Sequence, residues 1–110
     1  MNVAFEEIGR LAVTFGQNGC AAGHVCRIGS DGRVIACAAG EKFCGVVESV
    51  RGDYAAVQLE GFVTVKVTGT VTVGFAVLCA DGNGGVKSGA GREFLVVQVD
   101  TSAGTAVIKL

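Results

Sequence analysis

Five cysteines (Cys20, Cys26, Cys37, Cys44 and Cys79), a single histidine (His24) and a single tyrosine (Tyr54) are the side chains of this 110-residue sequence with the widest chemical range. Thiols can act as nucleophiles, bind soft metals or pair as disulfides. An odd number rules out a complete disulfide framework within one chain, and neither a Cys-x-x-Cys pair nor a zinc-type spacing occurs. The cysteines are therefore expected to be reduced, buried and used as small hydrophobes, with a disulfide or a metal site shared with His24 as the alternative. A general base needs an orienting partner. None flanks His24 in sequence, and Asp31 and Glu48 are the acids that folding could bring near it. Glu6 and Glu7 are adjacent, so on a strand they point to opposite faces and form a solvated surface rather than an acid–base pair.

Three further stretches invite a chemical reading. Asp81–Ser88, DGNGGVKS, resembles a phosphate-cradling loop at Lys87 and Ser88, but Asp81 and Val86 stand where that loop needs glycine. More turn and strand follow it, where phosphate binding needs a helix N-terminus. A wide glycine turn is expected instead. Arg51-Gly52-Asp53 is an integrin-type tripeptide placed at a hairpin turn. A biotinyl or lipoyl carrier would need a lysine at an exposed hairpin tip, whereas Lys66 and Lys109 fall within strands and Lys42 and Lys87 lack the flanking residues. Together these residues predict no enzyme, no cofactor and no metal.

The elements that must position these residues are strands. From Asp53 to Thr68 the odd positions read Ala, Val, Leu, Gly, Val, Val, Val from Ala55 to Val67, against a largely polar even set. That is the period-two signature of β structure. A straight strand of this length would span about 50 Å, too long for a small domain, so Gly61 is the expected bend. Eighteen glycines and no proline suit a chain that turns at glycine and otherwise keeps its backbone donors for pairing. Half of the residues are apolar, yet there is no Trp and only six Phe, so the core is expected to be built from Val, Ala, Leu and Cys. No window carries a capped helical stripe. The fold class is all-β with little helix, in a single small domain.

Charge narrows the partners. Nine basic and ten acidic residues give a net charge of −1, without the clustered Lys and Arg that nucleic acid requires. No apolar run approaches the length of a membrane span. The acidic start MNVAFEEIGR is unlike a signal peptide, so the expected product is intracellular or released by lysis.

Self-comparison at an offset of 51 aligns Gly23 with Gly74, Gly40 with Gly91, Phe43 with Phe94, Ala55 with Ala106 and Leu59 with Leu110. Cys26 then meets Val77 and Ile28 meets Cys79, with one residue of slippage before Val34 and Val86. The reading is a domain over 21–110 built from two related β units, 23–59 and 74–110, with Glu60–Val73 as the bridge. Residues 1–20 form an N-terminal arm or edge strand.

The succession AAGHVCRIGSDGRVIACAAGEKFCGVVESV, GDYAAVQLEGFVTVKVTG, TVGFAVLCADGNGGVKSGA and FLVVQVDTSAGTAVIKL resembles the capsid cement, or head decoration, proteins of tailed phages and prophages. It covers about residues 20–110, with Cys26, Cys37, Cys44 and Cys79 standing where that family has Val, Ala or Thr. The resemblance implies a non-enzymatic β-barrel or β-tulip-like domain, commonly a homotrimer. It would bind the major capsid protein on the capsid exterior and stabilise the expanded head, after synthesis in the bacterial host cytoplasm. An N-terminal arm often makes the capsid contact. On this chain that role falls to Val3, Phe5, Glu6, Glu7 and Ile8. The alternative is another phage β module, such as a head-fibre or tail receptor-binding component.

Overall fold

The computed structural model describes residues 9–110. Ten strands account for the ordered backbone: β1 (Leu11–Asn18), β2 (Val25–Ile28), β3 (Val34–Ala36), β4 (Gly45–Arg51), β5 (Tyr54–Glu60), β6 (Phe62–Lys66), β7 (Gly74–Ala80), β8 (Val86–Ser88), β9 (Arg92–Asp100) and β10 (Thr105–Lys109). The described residues contain no helix, so the all-β expectation holds. The first five strands close into a barrel in the order β1-β3-β2-β4-β5, and the last five form a sheet in the order β6-β10-β9-β7-β8.

These are two copies of one design, strand for strand. β1 lies antiparallel to β5 and β6 to β10, with Val13 opposite Val57 where Val63 is opposite Ile108. In the hairpins, Cys26 opposes Ala36 and Ile28 opposes Val34, while Leu78 opposes Ser88 and Ala80 opposes Val86. The bulge that skips Glu48 between β4 and β5 returns in β9, where it skips Val97. Even the closure repeats: β1 meets β3 in parallel at Gln17 and Val34, and the parallel bridge Val67–Val86 joins the outer strands of the second sheet. A closed sheet leaves few unpaired edges.

The structural repeat is larger than the sequence comparison indicates. It spans residues 11–60 and 62–110, and β6 lies in the stretch expected to be a bridge. Of the first twenty residues, 11–18 are a full barrel strand. Register also corrects the alignment, because the equivalent of Cys26 is Leu78, not Val77, and that of Ile28 is Ala80.

Each unit has its own interior. Cys26, Val34, Val47, Ala55 and Val57 fill the first, with Phe15, Val50 and Leu59 beside them. The matching positions in the second are Leu78, Val86, Val96, Ala106 and Ile108, with Val65, Val99 and Leu110. The second core also takes in Val25, Phe43 and Val46 from the first unit, which fuses the two into one body. Phe43 and Phe94 stack across this seam with ring centroids 4.9 Å apart and planes 5° from parallel. Backbone bonds reinforce it: Val25 N–H donates to Gly84 O at 3.0 Å, Gly40 N–H to Ala80 O at 2.8 Å and Ala80 N–H to Glu41 O at 2.9 Å.

Gly61 breaks the long alternating stretch, as expected. Its φ is +95°, and a Cβ there would meet the Arg10 Cα at 3.0 Å and Gly9 O at 3.2 Å, so both conformation and space select glycine. The buried Gln58 holds the break by donating from Nε2 to Glu60 O and Phe62 O, each at 3.0 Å. The C-terminal Leu110 N–H donates to Gly61 O at 3.0 Å.

Candidate functional site

Cys20, Cys26 and Cys44 pack in the first barrel, while Cys37 packs against the second core and Cys79 lies in β7. All five cysteines are free. Cys26 is fully buried at the position where the second unit has Leu78, and Cys20 and Cys44 pack against the same interior. Cys20 Sγ donates to Val34 O at 3.4 Å and Cys26 Sγ lies 3.8 Å from Gly45 O. The Cys26 thiol also donates to the Cys44 sulfur, which raises the Cys26 pKa and lowers that of Cys44. Burial raises Cys20, and raises Cys37 to about 11 with help from the Glu41 carboxylate. Three of these four thiols are therefore poorer nucleophiles than a free cysteine. No group of three or more potential ligands able to hold a metal ion occurs among the described residues.

His24 sits half-buried at the entrance to β2, its ring against Gly84 of the second unit. Its backbone carbonyl accepts from Val47 N–H at 2.9 Å. The acids named as possible partners are engaged elsewhere: Asp31 Oδ1 accepts from Arg33 N–H at 3.0 Å, and Glu48 pairs with Arg10. His24 thus belongs to the seam between the units.

The glycine-rich turn at residues 81–85 is organised by an acid. Asp81 Oδ1 accepts from Asn83 N–H at 2.7 Å and Gly85 N–H at 3.0 Å, and Oδ2 accepts from the Thr68 hydroxyl at 2.8 Å. Partial burial works to raise the Asp81 pKa, but these three hydrogen bonds outweigh it and hold the carboxyl below its usual range. Amides that a phosphate loop would offer to an anion are spent on Asp81, and Lys87 and Ser88 lie in β8. Ser88 Oγ donates to Thr70 O at 3.2 Å.

Arg51-Gly52-Asp53 crosses the β4–β5 hairpin with Arg51 opposite Tyr54 and Gly52 at φ +55°. All three residues are exposed. The turn is tied down by Gln17, whose Nε2 donates to Gly52 O at 2.7 Å and whose N–H donates to Asp53 O at 2.9 Å. Lys66 and Lys109 lie along strands rather than at tips, as expected, and both are exposed.

Two shallow pockets are formed by described residues alone. One of about 260 Å³ lies along the β4–β5 hairpin between Thr14, Ser49, Arg51 and Tyr54. The other, of about 120 Å³, opens at the mouth of the second barrel between Val67, Thr70, Asp100 and Thr105. Both fall below the roughly 300 Å³ of common small-molecule sites.

The surface feature that sequence reading missed is apolar. Val73, Phe75 and Val77 alternate along one face of β7 and its approach, and are 65%, 74% and 43% exposed. The signal was hidden because FAVLCA is apolar at every position, so its alternation does not reveal which face is covered. The arm residues Val3, Phe5, Glu6, Glu7 and Ile8 lie outside the described residues. No family model matches this sequence, and no curated protein matches it.

Proposed function

We propose that this chain is a structural component of a tailed-phage head that binds the outer surface of the capsid, as a homotrimer, and stabilises the expanded shell. The observation that carries this reading is the resemblance of residues 20–110 to head decoration proteins, whose named segments fall on the strands and turns of both barrel units. An exposed apolar stripe on a small all-β body is the kind of surface that marks protein contact. Near-neutral charge lets many copies crowd on one shell without mutual repulsion. Several weak contacts per oligomer, multiplied by effective concentration, then hold it in place.

The test adds purified protein to expanded capsids that lack it and counts bound copies by sedimentation. A variant lacking residues 1–8 serves as control, since a deletion reaching residue 15 would cut into β1. Saturable binding of the full-length protein is expected, with loss of affinity on truncation. Capsids left bare across a range of salt would overturn the reading, whereas equal binding by the truncated form would overturn only the arm assignment.

A further inference from the structure

We infer that this chain self-associates head to tail, by repeating between molecules the interface that already joins its two units. The internal seam has two sides. The first unit contributes Val25, Phe43 and Val46 with the loop 38–41, and the second contributes Phe94 and the end of its β7–β8 hairpin, at Ala80, Gly82 and Gly84. Because the units are copies, each side also exists a second time.

The hairpin registers give the correspondence of β2 with β7, and the register through the neighbouring strand shifts it by two residues along the same face, to Phe75. Arg27 opposes Ile35 as Cys79 opposes Lys87, so Val25 corresponds to Val77 and Ile28 to Ala80. Val25 is 2% exposed at the seam, whereas Val77 is 43% exposed and continues into Phe75 at 74%. Ala80 is 1% exposed at the seam, whereas Ile28 is 42% exposed. Phe94, the counterpart of Phe43, is itself buried in the internal seam, so the open copies are the apolar Phe75–Val77 face on the second unit and Ile28 on the first. The loops beside them also match: Ala39-Gly40-Glu41 lies against Ala80, and Ala90-Gly91-Arg92 flanks Val77.

A surface whose two halves are complementary but distinct makes a heterologous contact, which closes into a ring or grows into a filament. The second unit of one molecule would seat its Phe75–Val77 face on the β2–β3 hairpin of the next, at Ile28. A two-fold dimer formed by one face meeting itself is the competing arrangement. This inference does not depend on the capsid reading, since a protein that self-associates but leaves capsids bare would keep the one and lose the other.

Complementation separates the two geometries. Phe75→Asp removes the donor face and Ile28→Asp the acceptor, both at exposed positions where the fold, checked by circular dichroism and urea midpoint, tolerates the change. In sedimentation equilibrium the wild-type chain is expected at a multiple of its 11.1 kDa mass, and each variant alone at the single-chain mass. An equimolar mixture of the two variants retains one working interface and is expected to form a one-to-one dimer. A wild-type protein that stays at the single-chain mass at all concentrations overturns the inference. So does a mixture that remains monomeric, and so does either variant that stays associated on its own, which would indicate a face pairing with itself.

Discussion

The two units share a strand order, a bulge and a parallel contact between their outer strands, yet they solve the same packing problem with different materials. Inside the first, Cys26 stands where the second has Leu78, and at the barrel mouth Gln17 stands where the second has Val67. Gln17 stitches its mouth shut, accepting from Cys20 N–H at 2.9 Å and donating to Gly52 O. The Val67 side chain has no polar atoms to do this, and a pocket of about 120 Å³ remains there. The second unit compensates with a longer aliphatic interior and with the first unit's Val25, Phe43 and Val46 laid into its core. One fold can therefore be stabilised from its mouth by hydrogen bonds or from its centre by volume, and this chain uses each once.

Core truncation should expose that contrast most strongly. Leu78→Ala is expected to cost about 3 kcal/mol, as for other fully buried leucines, because the neighbours close the cavity only partly. Cys26→Ala at the equivalent position removes a single sulfur and is expected to cost about 1 kcal/mol. Urea unfolding of both variants at low protein concentration measures the difference. Equal losses would mean that the interiors are not differently packed. Gly61→Ala, at the junction that both units share, comes next. Its positive φ and the approach of Arg10 should lower stability by about 2 kcal/mol, read as a shift in the same urea midpoint.

The mouths give a smaller effect. Gln17→Ala leaves the Cys20 amide and the Gly52 carbonyl without their side-chain partner and should cost about 1 kcal/mol. Val67→Gln, offering an amide at the open mouth of the second barrel, should be close to neutral by the same measurement. Smallest is the acid response of the second unit's turn. The folded pKa of Asp81 lies below its unfolded value, so its contribution to stability is complete above the ordinary carboxylate range and fades as pH falls below about 4. Asp81→Asn should flatten the acid limb of a plot of stability against pH.

Alternation along Ala55–Val67 made the strands legible, and Gly61 as a bend was legible because no other residue in that run frees the backbone. The closing strands revealed the repeat because Ala55 and Leu59 recur as Ala106 and Leu110. The opening strands did not, since unequal turns shift the spacing. Gln17 lies nine residues before Cys26 whereas Val67 lies eleven before Leu78, and the two-residue loop at Gly52-Asp53 becomes Thr101–Gly104 in the second unit. A comparison at constant offset therefore passes by the match of Val13-Thr14 with Val63-Thr64, although these residues pair equivalently in the two sheets. Which apolar face stays open was not legible, because Phe75 and Val77 differ from Ala76 and Leu78 only in what lies above them. That depends on the first unit docking on one side of the second sheet.

Equivalent positions with opposite fates offer the most direct test of the account, in which one face is closed inside the molecule and its copy is open for another. The measurement is sedimentation equilibrium of Val77→Asp, run beside the wild type and beside Val25→Asp. The account predicts that Val77→Asp keeps the wild-type fold but sediments at 11.1 kDa, while Val25→Asp, which buries an unpaired carboxylate at the seam, loses the fold itself. A Val77→Asp protein that remains as associated as the wild type would contradict it.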